Sequence, residues 1–107
     1  MQVTVWKNGK HSNPGVWYGI SVPKPSRKRY FDLAWPEVIL ILPDGEEVRA
    51  QLTPTFWTTC NELRPAAINR WLKKQHLVPW PEGTLPPVLE LTPQGGNRFA
   101  LTLQSDR

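Results

Sequence analysis

Two acidic residues first raise the question of chemistry. Pro43-Asp44 is followed by Glu62, which stands two residues before Arg64. That order resembles the carboxylate set of metal-dependent nucleases. There the carboxylates hold Mg²⁺, and a lysine after them positions the attacking water or phosphate. Here the last place is arginine, which stays protonated and cannot share the role. Pro43-Asp44-Gly45-Glu46 also has the residue types of a hairpin turn: proline presets φ, aspartate bonds its own backbone, and glycine takes positive φ. Cys60 with His76 lacks a third group to orient the imidazole, and a lone cysteine commonly serves as a small buried filler. One cysteine and two distant histidines exclude a paired-cysteine zinc site. Gly95-Gly96 lacks the strand-to-helix setting of a phosphate loop. No catalytic constellation, cofactor or metal site is expected, and the chain is not read as an enzyme.

Binding chemistry is better represented. "PKPSRKRYF" (23–31) carries Lys24, Arg27, Lys28 and Arg29 with no carboxylate before Asp32. Two prolines restrict the segment and lower the entropy lost when it orders on a ligand. Arg27 and Arg29 can meet guanine edges or phosphates with two bonds, and Lys24 and Lys28 are phosphate contacts. The competing reading is a solvated basic loop held flat by Tyr30 and Phe31. A second segment, "TPTFWTTCNELR" (53–64), offers Thr55, Thr58, Thr59, Asn61 and Arg64. Asparagine can read adenine, and threonine can meet a phosphate or a thymine methyl. Thr59 or Asn61 can equally cap a short helical turn. Phe56 and Trp57 read as core, with one of them available as a stacking platform.

The whole chain is consistent with such a partner. Its 107 residues fit one domain with one core. The net charge of +4 and a pI near 9.6 favour a polyanion. Six tryptophans in so short a chain must mostly be core, with one or two left for a binding surface. The longest aliphatic run, "VILIL", is far below the roughly 20 residues of a membrane span. Without that span, and with "MQVTVWKNGK" lacking a signal-like apolar stretch, a soluble cytoplasmic protein is expected. A single cysteine agrees with a reducing compartment.

Twelve prolines, spread along the chain, cut it into short elements and favour a β-rich fold over a helical bundle. "QVTVW" (2–6) alternates as an edge strand. "VWYGISV" (16–22) puts Val16, Tyr18, Ile20 and Val22 on one face. "VILIL" (38–42) is apolar on both faces and reads as a central strand. With "EVRAQLT" (47–53), whose Val48, Ala50 and Leu52 face inward, it forms a hairpin around the 43–46 turn. "PAAINRWLKK" (65–74) is the clearest helix, with an apolar stripe of Ala67, Ile68, Trp71 and Leu72, and lysines at its C-terminal end. "PWPEGTLPP" (79–87) is an extended connector, read as a lid held by Trp80. "VLELT" (88–92) and "RFALTL" (98–103) close the chain as a hairpin. The expected fold is mainly β with one clear helix: a small open pseudobarrel of about six to seven short, mostly antiparallel strands.

This order of elements resembles the B3-type DNA-binding pseudobarrel. The resemblance is carried by a strand ending in "ISVPK", a basic segment, a hairpin, a polar segment, a helix ending near "WLKKQHL" and a closing hairpin with "NRFALTL", over roughly residues 16–104. That fold occurs in plant transcription factors and in effector domains of bacterial restriction endonucleases. The resemblance implies a seven-stranded open barrel that clasps the major groove of double-stranded DNA with two limbs. In restriction enzymes it also implies a nuclease domain or other protein as partner. Carried over, the limbs are two loops, about 23–31 and 54–64, with Lys24, Arg27, Lys28, Arg29, Tyr30, Trp57, Thr58, Thr59, Asn61 and Arg64 at the DNA. Two rival readings remain. One is a protein-interaction module or inhibitor anchored by exposed tryptophans. The other is a single-strand or RNA binder that stacks bases on Tyr30 and Trp57.

Overall fold

The computed structural model describes residues 1–103; residue 104, where the B3 resemblance ends, lies outside them. Seven strands form one mainly antiparallel sheet: β1 Gln2–Lys7, β2 Tyr18–Ser21, β3 Glu37–Ile41, β4 Glu47–Gln51, β5 Glu62–Leu63, β6 Val88–Pro93 and β7 Arg98–Leu103. Their order is β4-β3-β7-β6-β1-β2-β5. The sheet curls until its two edges share one groove, lined by Arg49 and Gln51 of β4 and by Glu62 of β5 with Arg64 just beyond it. The molecule is therefore a small, nearly closed pseudobarrel.

Both expected hairpins are present. In β3–β4, Val38 faces Ala50 and Leu40 faces Val48. The turn is closed by Gly45 N–H donating to Leu42 O (2.8 Å) and by Asp44 Oδ1 accepting from Glu46 N–H (2.9 Å). Gly45 has φ +92°, which a side chain would oppose. Alternation along β4 buries Val48 and Ala50 and, just past its end, Leu52, as the sequence pattern demands. In β6–β7, Leu91 faces Leu101. Phe99 and Leu101 are buried, whereas Leu103 is exposed at the strand end.

β1, read from the sequence as an edge strand, is interior: it pairs with β6 on one side and β2 on the other, and the edges are β4 and β5. Two further features lie outside the sequence reading. The sheet contains one parallel pair, β3–β7, with Leu40 beside Phe99. The short β5 pairs Leu63 with Ile20 and Glu62 with Ser21. β5 crosses β2 where only glycine fits. A Cβ on Gly19 would lie 2.5 Å from Leu63 O and 2.9 Å from Arg64 Cβ. Backbone cannot swing aside as a flexible side chain can. Gly19→Ala is expected to destabilise the fold by about 1–3 kcal/mol, the range of core overpacking. Denaturant unfolding checks this: an unchanged midpoint would mean that β5 separates from β2 without cost.

The expected helix is present as Ala66–Lys74, and two shorter ones join it. Numbered along the chain they are α1 Lys24–Tyr30, α2 Pro54–Thr58 and α3 Ala66–Lys74. α3 buries Ile68, Trp71 and Leu72, while Ala67 is half-buried. Asn69 is buried too, and its Oδ1 accepts from Tyr18 N–H (3.0 Å), fixing α3 to β2. A groove bordered by α3, the β3–β4 turn and Leu103 places the helix at the C-terminal ends of β3 and β7. Trp80 packs partly on the core and meets His11 edge-on (centroids 4.5 Å), which anchors the start of the 79–87 connector, but residues 81–85 are exposed and do not cover the core as the expected lid would. Most tryptophans are not fully buried: Trp71 is, whereas Trp6, Trp17, Trp35, Trp57 and Trp80 are half-buried. The rings are large enough to fill the barrel's margins while leaving an edge in solvent. No helix among the described residues is long and apolar enough to cross a membrane.

Candidate nucleic-acid interface

The basic segment is a helix, not the expected loop. Prolines exclude strand pairing, but they are compatible with a first helical turn, whose N–H groups have no intrahelical partner. Pro23 stands at the N-cap, with Pro25 inside that first turn. From there the ladder closes, Arg27 N–H to Pro23 O (2.9 Å) and Phe31 N–H to Arg27 O (3.0 Å). Arg27, Lys28 and Arg29 fall in the last turn, where the helix dipole favours cations. The second limb likewise begins with a single helical turn, α2, led by Pro54.

An aromatic cluster seats both limbs on the barrel. Phe31, next after α1, stacks on Phe99 of β7 (centroids 4.9 Å, planes 17° apart) and lies 5.6 Å from Phe56 of α2. Trp35 meets Phe99 edge-on at 6.2 Å. Phe31, Phe56 and Phe99 are buried. The cluster adjoins the starts of β3 and β7, so the limbs and α3 occupy opposite ends of the barrel.

Arg27 ties the limbs together. Its guanidinium donates to Phe56 O (2.6 Å) and lies 5.9 Å from the centroids of both the Phe56 and Trp57 rings. That is cation–π range. One of its donors is thus committed within the protein, which makes Arg27 a structural bridge more than a free base reader.

Around this bridge runs an open groove of about 860 Å³, lined by Lys24, Arg27, Lys28, Arg29, Tyr30 and Trp57 together with Phe31 to Leu33 and Trp35. Lys24, Lys28 and Arg29 are exposed, and none of them joins an ion pair among the described residues. Among the described residues Asp32 is the one carboxylate in the lining. Tyr30 is 37% exposed, with the Arg29 guanidinium 5.6 Å from its ring. Six of the ten expected contact residues therefore share one concave, cationic and aromatic surface.

The other four are elsewhere. Thr58 is exposed and bonds back to Pro54 O (3.2 Å). Thr59 is exposed at the C-cap of α2; neither it nor Asn61 caps a helix N-terminus, since those places belong to Pro23, Thr53 and Pro65. Asn61 is a tether: its Nδ2 donates to Val22 O, while Val22 N–H donates to Asn61 O (2.8 Å). Arg64 turns away, its guanidinium 5.3 Å from the Trp6 ring and its carbonyl accepting from Trp17 Nε1 (3.0 Å). The chain's bend over Gly19 sends it there. Leu33 and Trp35 were missed as lining residues. The signal for them was "FDLAW", an aspartate-led turn between two aromatics directly after the cations.

The nuclease-like carboxylates do not share a groove. Asp44 borders the groove beside α3, whereas Glu62 lies in the seam between the sheet edges. No protein-family model, curated protein or solved structure matches the chain.

Proposed function

We propose that this protein is a non-enzymatic nucleic-acid-binding module whose ligand is double-stranded DNA, held in the groove between α1 and α2. One observation carries the reading: three exposed cations, without ion-pair partners among the described residues, stand on a short helix that Arg27 locks to the second limb. Seven residues of α-helix span about 10 Å, and a helix fits the major groove, about 12 Å wide. Lys24 and Lys28 supply phosphate contacts, and Arg29, whose side chain makes no hydrogen bond among the described residues, reads a base edge or a phosphate. The nearly closed seven-stranded barrel with two limbs at one end is compatible with the B3 resemblance, which adds sequence specificity and a nuclease domain or other protein as partner. A cytoplasmic setting belongs to the same proposal.

A second reading has an observation of its own. Tyr30 and Trp57 both reach a cationic groove, as stacking platforms for unpaired bases do. Binding to duplex DNA, single-stranded DNA and RNA at two salt concentrations separates the two. Duplex is expected to bind tightest, with log affinity falling linearly in log salt. Tighter single-strand binding would favour stacking. No binding to any of the three would move the protein-interaction reading to first place.

A further inference from the structure

The groove contains a residue that charge does not explain. Leu33 is 75% exposed, directly after the cationic helix and the anchored Phe31. It stands on a turn closed twice: Asp32 O accepts from Trp35 N–H (3.0 Å), and Asp32 Oδ1 accepts from Ala34 N–H (2.8 Å). Both flanks of this turn are seated on one ring, since Phe31 and Trp35 each pack against Phe99. Phe31 and Trp35 pack on Phe99 on either side of Leu33, while Leu33 itself stays in solvent. The carboxylate of Asp32, which lines the groove, closes the turn.

We infer that Leu33 is an apolar wedge that enters the base stack of bound DNA and partly unstacks one step. The inference rests on the nucleic-acid reading above. A polyanion held by Lys24, Lys28 and Arg29 lies against the same surface that Leu33 lines. Proteins that deform duplexes insert leucine and similar side chains between base steps, and a rigid mount keeps such a side chain from yielding to the stack. A flexible loop would bend away from the bases. A planar anionic membrane is the other surface that could take a basic patch with a leucine tip, but the concavity of this groove suits a strand or helix better than a plane.

The test uses a duplex selected from a randomised pool, with 2-aminopurine placed at each adenine in turn. The wild-type protein should raise the fluorescence of the probe at one step, reporting unstacking. Leu33→Ala should abolish that rise and lower affinity by roughly tenfold, the scale of uncovering one leucine. Leu33→Met should retain both. The thermal midpoint should stay constant, because the residue is exposed. Binding by Leu33→Ala with an unchanged probe signal would overturn the wedge and leave the DNA groove standing. So would tight wild-type binding with no signal at any position. Absence of duplex binding, with binding instead to vesicles of anionic lipid, would overturn both readings together.

Discussion

Replacing Lys24, Lys28 and Arg29 together by alanine is expected to weaken duplex binding by about two to three orders of magnitude near 0.1 M salt. Each phosphate contact on duplex DNA contributes about 0.9 to the slope of log affinity against log salt. Three contacts therefore remove about 2.7 from that slope. The loss should appear on every sequence if all three meet phosphates. If Arg29 reads a base, its single replacement should cost about 1–3 kcal/mol on the preferred site only, while Lys24→Ala and Lys28→Ala each reduce the slope by about 1. The fold should be indifferent, because all three side chains are exposed and unpaired among the described residues. Equal binding by the triple variant and the parent at moderate salt would reduce the helix to a solvated face. Arg27 is kept out of the triple deliberately. Its guanidinium holds Phe56 O, so its removal would loosen the limbs and mix a structural loss with an electrostatic one.

That distinction between the four cations was not legible in the sequence. All four arrive in one run, and nothing in the run marks Arg27 as the one that turns inward. Its partner, the carbonyl of Phe56, is 29 residues away. The helical state of the run was obscured for a local reason. Proline reads as a breaker, yet Pro23 and Pro25 fall where a helix has no N–H to lose. The position of Arg64 depended on a close approach of two backbones at Gly19, and a lone glycine inside a strand pattern does not say which neighbour it admits.

What was legible rests on short-range pattern. Val48, Ala50 and Leu52 alternate, so the β3–β4 hairpin has one possible inner face, and a one-residue slip would expose all three. Ile68, Trp71 and Leu72 recur at helical spacing, so α3 could pack in only one way. The parallel contact of β3 with β7 lies beyond such reasoning. It joins Ile39 to Arg98 across more than half the chain, and neither strand's pattern differs from that of an antiparallel neighbour. The two-residue β5 is too short to have a period.

Phe99→Ala should produce the largest stability change of any substitution near the groove, about 3–5 kcal/mol. Phe99 is 1% exposed, and its ring supports Phe31 and Trp35. A loss of that size is a third or more of the stability of many domains and should lower the melting temperature by roughly 15 °C or more. Unfolding would then confound any binding measurement, so the milder Phe99→Leu is the useful probe of function. It keeps most of the volume, should cost about 1.5 kcal/mol or less, and leaves the protein folded. It removes the flat ring on which both ends of the Leu33 turn sit. If that ring serves as the mount, Phe99→Leu should weaken duplex binding although the residue is buried and touches no ligand. Leu33→Ala should then cost less affinity in the Phe99→Leu background than in the wild type, because a wedge on a yielding mount has already lost part of its effect. The two effects should fall short of additivity by about 0.5 kcal/mol or more, the scale of coupling between residues that share partners. Strict additivity would show that Phe99 fills the core without holding the turn, and that the rigidity of the Leu33 tip comes from Asp32 alone.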